Sequence, residues 1–237
     1  MWIRQPSNII SKLISPAVQL WLRSQVDHVD TLQMKIQGSD SQILGGHIPG
    51  ILLKTKGAIY QGLHLGQVDL TGKNIRINIG QVIKGKPLRL LEPIQIWGEV
   101  KLSENDLQAS LTSSLLGDAF QELLIALLAY QGVSDPRQIL DYYEITWQGV
   151  TLSQLSFTLQ GLVTKNEVST RIIIEGQLEL ISSKSLRLIL LKMEGLSDLI
   201  DNSLDKLELD LGSDVVIESL NLGNNQLFCQ AQLLIRP

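Results

Sequence analysis

One cysteine, Cys229, occurs among 237 residues, so no disulfide closes within the chain and nothing calls for an oxidising compartment. It sits in an apolar strand and reads as a buried small hydrophobe. Histidines number three, His28, His47 and His64, in separate segments, without the His-x-x-x-His or cysteine spacing that gathers ligands on a metal. No metal and no cofactor is expected. Aromatic residues make up only 5%, too few for the stacking platforms that hold single-stranded nucleic acid. A net charge of −4 lacks the basic footprint that a phosphate backbone demands. Nucleic acid is therefore not an expected partner.

Long hydrophobic runs are missing too. The longest aliphatic stretch, Leu123 to Ala129, falls far short of the roughly 20 residues that span a bilayer. Met1-Trp2-Ile3-Arg4-Gln5-Pro6 has no continuous apolar core of a signal peptide. The expectation is a cytoplasmic protein, peripheral on a membrane at most. No Gly-x-Ser-x-Gly elbow occurs, and a thiolate at Cys229 is disfavoured by its aliphatic surroundings, so the chain does not read as an enzyme. Gly80-Gln81-Val82-Ile83-Lys84-Gly85-Lys86-Pro87 imitates a phosphate-binding loop but fails it. Pro87 replaces the magnesium-binding Ser or Thr, removes an N–H, and precedes no helical pattern. What is left is a basic loop, Lys84, Lys86 and Arg89, with two readings: contact with an anionic headgroup, or a solvated connection.

What the chain does have is aliphatic mass, 44% hydrophobic residues carried by Leu, Ile and Val, which is enough for a substantial core. It also repeats itself. Tyr60-Gln61-Gly62-Leu63-His64-Leu65-Gly66-Gln67-Val68-Asp69-Leu70-Thr71 returns 87 positions later as Trp147-Gln148-Gly149-Val150-Thr151-Leu152-Ser153-Gln154-Leu155-Ser156-Phe157-Thr158. Ile96-Trp97-Gly98-Glu99-Val100-Lys101-Leu102 returns 78 positions later as Ile174-Glu175-Gly176-Gln177-Leu178-Glu179-Leu180. A period this long is domain-like duplication rather than a solenoid. In both copies of the first element the apolar alternation slips by one residue, which requires a bulge or tight bend if one face is to stay buried. Gly66 suits such a kink. Gly98 and Gly176 take apolar-phase positions, where a missing side chain permits bending or close backbone approach.

Helical spacing covers Ser7 to Trp21, with Ser15 and Pro16 restarting the helix. Strand-like stretches follow at Thr31 to Gln37, Ile51 to Thr55, Ala58 to Thr71, Asn74 to Ile79 and Ile94 to Leu102, with short connections that favour antiparallel neighbours. Ser103-Glu104-Asn105-Asp106 reads as a capping box. A broad apolar helix then spans Leu116 to Leu128, stops at Gly132, and is so poor in polar residues that sheet is expected on most of its sides. The second half gives strands from the Trp147 element through Val168 to Leu180 and Ser185 to Met193. A helix is read around Leu196 to Leu207, and alternating strands run from Leu209 to Ile235 with a Gly223-Asn224-Asn225 turn.

The expected fold is α+β, with strongly curved antiparallel β-sheets wrapped around long helices. An amphipathic helix takes residues 1–24, and residues 25–237 form one domain of two related halves, about 25–132 and 140–237.

Ser15-Pro16-Ala17-Val18-Gln19-Leu20-Trp21-Leu22-Arg23-Ser24-Gln25-Val26, Ile75-Arg76-Ile77-Asn78, Lys84-Gly85-Lys86-Pro87-Leu88 and the end from Leu209-Asp210-Leu211-Gly212 to Pro237 resemble cyanobacterial members of the LmeA-like phospholipid-binding family. The resemblance covers nearly the whole chain. It implies a fold similar to tubular lipid-binding (TULIP) domains, in which a curved sheet wraps a long helix and holds acyl chains in an aliphatic groove. The expected partner is then a phospholipid or fatty-acyl ligand, with peripheral membrane contact. Candidate groove residues are Leu63, Leu65, Val68, Leu70, Ile75, Ile77, Val150, Leu152, Leu155 and Phe157. Lys84, Lys86 and Arg89 are headgroup candidates, and Trp2, Ile10, Leu13, Ile14 and Trp21 membrane-contact candidates. The alternative is a protein-interaction scaffold whose aliphatic residues fill a closed core and hold no lipid.

Overall fold

The computed structural model of the protein describes residues 15–195 and 206–237. Alternating stretches become strands of two antiparallel sheets. Strands β1 (His28–Gln37), β2 (His47–Tyr60), β3 (Leu63–Arg76) and β4 (Ile94–Ser103) form a meander. A second run, β5 (Glu144–Leu152), β6 (Ser156–Lys165), β7 (Val168–Ser182), β8 (Ser185–Glu194) and β9 (Lys206–Asp210), forms a five-stranded sheet in chain order. The last hairpin, β10 (Val215–Gly223) with β11 (Gln226–Ile235), returns to the first sheet, whose order is β1-β2-β3-β4-β11-β10. Three tight turns set hairpin registers, one of them Asn166-Glu167 between β6 and β7 at φ 50° and 66°. Gln61 and Gly62 have φ of 49° and 76°, and Asn224 and Asn225 have 51° and 58°, the left-handed pair that a two-residue turn needs to match strand twist.

Helices are mostly short. They are α1 (Ser15–Ser24), α2 (Asp40–Leu44), α3 (Ile79–Val82), α4 (Glu104–Ala109), α5 (Ser114–Tyr130) and α6 (Pro136–Leu140). The capping box at Ser103 forms: its hydroxyl accepts from the Asp106 N–H, and the Asp106 carboxylate accepts from the Ser103 N–H at 2.7 Å. Gly132 ends α5's run at φ 82°, as a left-handed C-terminal glycine should.

Buried side chains fall into two clusters. The larger joins Leu124, Leu127 and Leu128 of α5 to the apolar face of the second sheet, including Val150, Leu159, Ile172, Ile174 and Leu188. The smaller joins Val18 of α1, Ile43 of α2 and Ile79 of α3 to Ile48, Ile75, Ile77, Ile94 and Ile96 at one end of the first sheet.

Several expectations need correction. Among the described residues only α5 is long, and it is not enclosed on most sides, because Asp118, Ala119, Gln121, Glu122 and Tyr130 are exposed. The stretch Ala58 to Thr71 is two strands, because the Gln61-Gly62 turn divides it. Asn74, at φ 53°, breaks the alternation expected for 74–79; β3 ends at Arg76, and α3 begins at Ile79 inside what read as strand and loop. The helix read at 196–207 lies outside the described residues up to 205, and Lys206 and Leu207 open β9. Nor does the interval near residue 135 separate the two sheets, since β10 and β11 complete the first one.

The phase slips have different causes in the two copies. In the first, Gly57 (φ 58°) and Gly66 lie between the Lys56–Gln67 and Ala58–Leu65 pairs, and pairing continues on either side without a register shift. Burial changes phase on β1 and β2 together, from Val29 to Leu32 and from Ala58 to Thr55. The sheet therefore bends as a unit rather than bulging on one strand. In the second copy the slip is the β5–β6 turn itself, with Leu155 at φ 71°, while the bulge lies earlier, between Trp147 and Gly149.

The paired glycines behave alike. Leu70 stands opposite Gly98, and Phe157, its counterpart 87 positions on, stands opposite Gly176. A bulky side chain faces a glycine across the strands in each sheet.

Candidate functional site

The ten groove candidates do not meet in one channel. Ile75 and Ile77 are buried in the smaller cluster, and Leu70 packs against it. Val150 and Leu152 are buried in the larger one, with Leu65 and Phe157 packed on it. Val68 is buried and Leu63 half-buried, while Leu155 is 65% exposed in its turn. Alternation told which side of each strand faces inward; it did not tell which of the two clusters each residue joins.

A different apolar surface lies on the first sheet between the clusters. Along β11, Leu227, Cys229, Ala231, Leu233 and Ile235 share one face, as alternation requires. In register beside them stand Leu102, Val100, Gly98, Ile96 and Ile94 of β4, and on the other side Leu222, Leu220, Ile217 and Val215 of β10. One end of this stripe enters the larger cluster through Leu102, Leu222 and Leu227, and the other meets the smaller cluster at Ile94 and Ile96. Midway the side chains shrink to Gly98, Ala231 and Cys229. Toward the far end Leu233 and Ile235 are 38% and 41% exposed. At the rise of an extended strand the stripe is about 27 Å long. Its residues were visible as an alternating strand, but exposure on the apolar side depends on what fails to cover it, and no local pattern encodes that.

Cys229 belongs to this stripe and is half-buried, not fully buried as its sequence setting suggests. Burial raises its thiol pKa above the ordinary value, because a low-dielectric setting penalises the thiolate.

On the opposite face of the same strands, a cleft of about 350 Å³ is lined by Lys54, Asp69, Trp97, Glu99, Glu218 and Gln230 among others. Its groups answer one another. Lys54 pairs with Asp69, Gln230 Nε2 donates to Glu99 at 2.8 Å, Gln232 Nε2 donates to Glu218 at 2.6 Å, and Lys73 Nζ lies 5.2 Å from the Trp97 ring centre. The hydrogen bond from Lys54 lowers the Asp69 pKa, and the same bond raises that of Lys54. The charged and amide groups of the cleft are thus matched among themselves, beside an apolar lining that includes Leu52 and Trp97.

The headgroup candidates sit on an ordered loop. Asn78, itself buried, donates from Nδ2 to the Pro87 carbonyl at 3.0 Å and accepts from the Arg89 N–H at 2.7 Å. Leu88 anchors the loop in the smaller cluster, so Lys84, Lys86 and Arg89 project from a fixed backbone and are exposed. Trp21 is half-buried against the same cluster. Trp2, Ile10, Leu13 and Ile14 lie outside the described residues. Among the described residues no group of three or more His, Cys, Asp or Glu side chains is placed to hold a metal, and no helix is long and apolar enough to cross a membrane.

The model of one protein family, described as LmeA-like phospholipid-binding, matches residues 7–232. No curated protein and no solved structure matches the chain.

Proposed function

The chain belongs to the LmeA-like phospholipid-binding family, and from that membership we propose that it binds a phospholipid or fatty-acyl ligand by laying an acyl chain along the apolar stripe of β11. The family match over nearly the whole chain carries this reading. The stripe supports it in three ways. It is continuous between the two clusters, its side chains shrink to Ala231 and Cys229 midway, and it stays accessible at Leu233 and Ile235. A bilayer leaflet holds tails within about 15 Å, half of the hydrocarbon thickness, so a stripe of about 27 Å accommodates one with length to spare. Each methylene removed from water contributes about 0.8 kcal/mol, so the tail supplies the affinity and no catalytic group is required. The protein acts as a carrier or membrane-associated binder rather than an enzyme. In the same reading its curved sheets are a TULIP-like variant. The matching Leu70–Gly98 and Phe157–Gly176 pairs are the trace of an internal duplication.

Native mass spectrometry after incubation with liposomes tests the binding, and the reactivity of Cys229 toward a maleimide tests the place. The expected result is a lipid-mass adduct whose Cys229 reacts several-fold more slowly than in lipid-free protein. An adduct with unchanged Cys229 reactivity would remove the stripe as the site. No adduct at all would remove lipid binding and leave the scaffold reading.

A further inference from the structure

The end of the first sheet where the smaller cluster lies has an unusual surface. Four exposed apolar or basic projections come from the loop between β3 and β4: Ile83, 60% exposed, Lys84, Lys86 and Leu91, 58% exposed. Arg89 projects from the same loop and Arg76 from the end of β3, both exposed. Leu44, at the end of α2, adds a further exposed aliphatic side chain beside them, since the Gly46 carbonyl just beyond it accepts from the Ile77 N–H at 2.9 Å. The carboxylates of this end are Asp40, Glu92 and Asp214, the last paired with Arg236.

Elsewhere the chain pairs many of its cations. Lys54, Arg137, Arg187, Lys192 and Arg236 each have a carboxylate partner. Arg76, Lys84, Lys86 and Arg89 have no ion pair among the described residues. The result is a local positive surface on a protein of net charge −4, with bulky aliphatic side chains set among the cations. The backbone beneath is fixed, through Asn78, through the Lys86 N–H donating to the Gln81 carbonyl at 3.0 Å, and through the Leu91 N–H donating to the Arg76 carbonyl at 2.9 Å. An ordered loop that holds aliphatic residues out in water is not hiding them in its own core.

We propose that this end of the sheet docks on the surface of an anionic lipid bilayer, with Ile83 and Leu91 entering the interface and Arg76, Lys84, Lys86 and Arg89 meeting lipid phosphates. Charge complementarity selects that occupant. Basic residues beside inserted aliphatic ones match a negative surface with a hydrocarbon layer beneath it. The position has a further consequence that rests on the acyl-binding reading. Leu91 leads within three residues to Ile94, which pairs with Ile235 at the exposed end of the β11 stripe. The docking loop thus lies at the stripe's mouth, and a tail leaving the bilayer meets apolar surface from the first step.

Flotation with vesicles of phosphatidylcholine alone, or of phosphatidylcholine with about a third phosphatidylglycerol, tests the docking. Wild-type protein is expected to float with the anionic vesicles, to float weakly with the neutral ones, and to lose binding in high salt as screening shortens the reach of the charges. The variant Lys84→Gln/Lys86→Gln/Arg89→Gln is expected to bind anionic vesicles about a hundredfold more weakly, from a factor of about five per basic residue at such a surface. Lys56→Gln/Lys184→Gln/Lys206→Gln removes the same charge elsewhere and is expected to float like wild type. Ile83→Ser/Leu91→Ser is expected to lower flotation on both vesicle types while leaving thermal stability unchanged. Equal loss in the two lysine-containing variants, or flotation indifferent to vesicle charge, overturns the proposal. Lipid adducts in native mass spectra of the glutamine loop variant separate the two readings. An adduct without flotation removes only docking from that variant, as proposed, whereas flotation of the wild type without any adduct sinks the acyl site and leaves docking standing.

Discussion

Replacing Gly176 by Ala and Gly98 by Ala makes the same chemical change at corresponding places in the two copies of one sequence element, yet the structure separates their outcomes. A Cβ on Gly176 would lie 2.7 Å from Leu188 Cδ1, 3.2 Å from Phe157 Cζ and 3.2 Å from the Ile189 carbonyl oxygen. One of these is backbone, and Leu188 is itself fully buried. Overpacking of that kind costs about 1–3 kcal/mol, against which alanine regains about 0.5–1 kcal/mol of the entropy that glycine loses in a strand. With the backbone contact placing the cost in the upper part of its range, the net is a loss of about 1–2 kcal/mol, or about 2–8 °C in melting temperature for a protein of this size. At Gly98 the added Cβ meets only Leu70 Cδ2 at 3.0 Å, with the Ala231 carbonyl oxygen at 3.9 Å. The end of a leucine side chain on a partly covered surface moves aside, so the entropy gain offsets the contact and stability stays within about 0.5 kcal/mol of wild type. Thermal melts followed by circular dichroism, with urea midpoints as a second measure, decide the matter. Equal destabilisation of the two variants, or a neutral Gly176→Ala, would refute the claim that one sheet face is closed at this position and the other open.

Other outcomes follow from single side chains. Thr55 Oγ1 is buried without a hydrogen-bond partner among the described residues, so Thr55→Val keeps the shape, removes an unpaired hydroxyl, and raises stability by about 1 kcal/mol in urea unfolding; a loss would point to a hydrogen bond made by that hydroxyl. Asn78→Ala strips the β3–β4 connection of three hydrogen bonds and is expected to cost about 1–3 kcal/mol, with amide exchange at Lys86 to Arg89 accelerating well before that of β3; uniform exchange across both segments contradicts a role confined to the loop. Cys229, whose thiol pKa burial raises, reaches half-maximal reactivity with a thiol reagent above the pH of a free cysteine. Its neutral form is favoured by folding, so this contribution to stability is complete below the ordinary thiol pKa and is lost as pH climbs through the raised one. A pH–rate profile that superimposes on a model peptide would count against its burial.

Much of the fold is legible in the chain, for reasons that are local. Period-two alternation named most strands, the Ser103 box and Gly132 marked helix boundaries, and Gly223-Asn224-Asn225 marked the last hairpin. Where boundaries failed, a single residue in left-handed backbone was responsible. Gln61 and Gly62 split one apparent strand, Asn74 ended another, and Leu155 made a turn out of what looked like a slipped strand. The two similar segments each set a bulky residue opposite a glycine, Leu70 against Gly98 and Phe157 against Gly176. The candidate site was less legible. Apolar phase identified Ile75, Ile77, Val150 and Leu152 as inward, but whether an inward residue is sealed or reachable depends on α1, α2 and α5 and on which strands they cover. Leu233 and Ile235 at the end of the β11 stripe stay exposed because, among the described residues, those helices pack elsewhere, and that is a property of the assembled sheets. The basic loop was readable as composition, whereas its rigidity came from Asn78, an unremarkable polar residue whose partners lie 9 and 11 positions away.

The return of the final hairpin to the first sheet has a kinetic side. Glu99 of β4 and Gln230 of β11 meet across 131 positions of sequence, so during synthesis β4 waits with one row of backbone donors and acceptors unanswered while the whole five-stranded sheet is made. Contacts that distant form late and slowly, and an apolar strand with an open edge invites pairing with a neighbouring chain. A ribosome-bound nascent protein stopped before β10 should therefore be aggregation-prone and hungry for chaperones, and release of the last two strands should cure it.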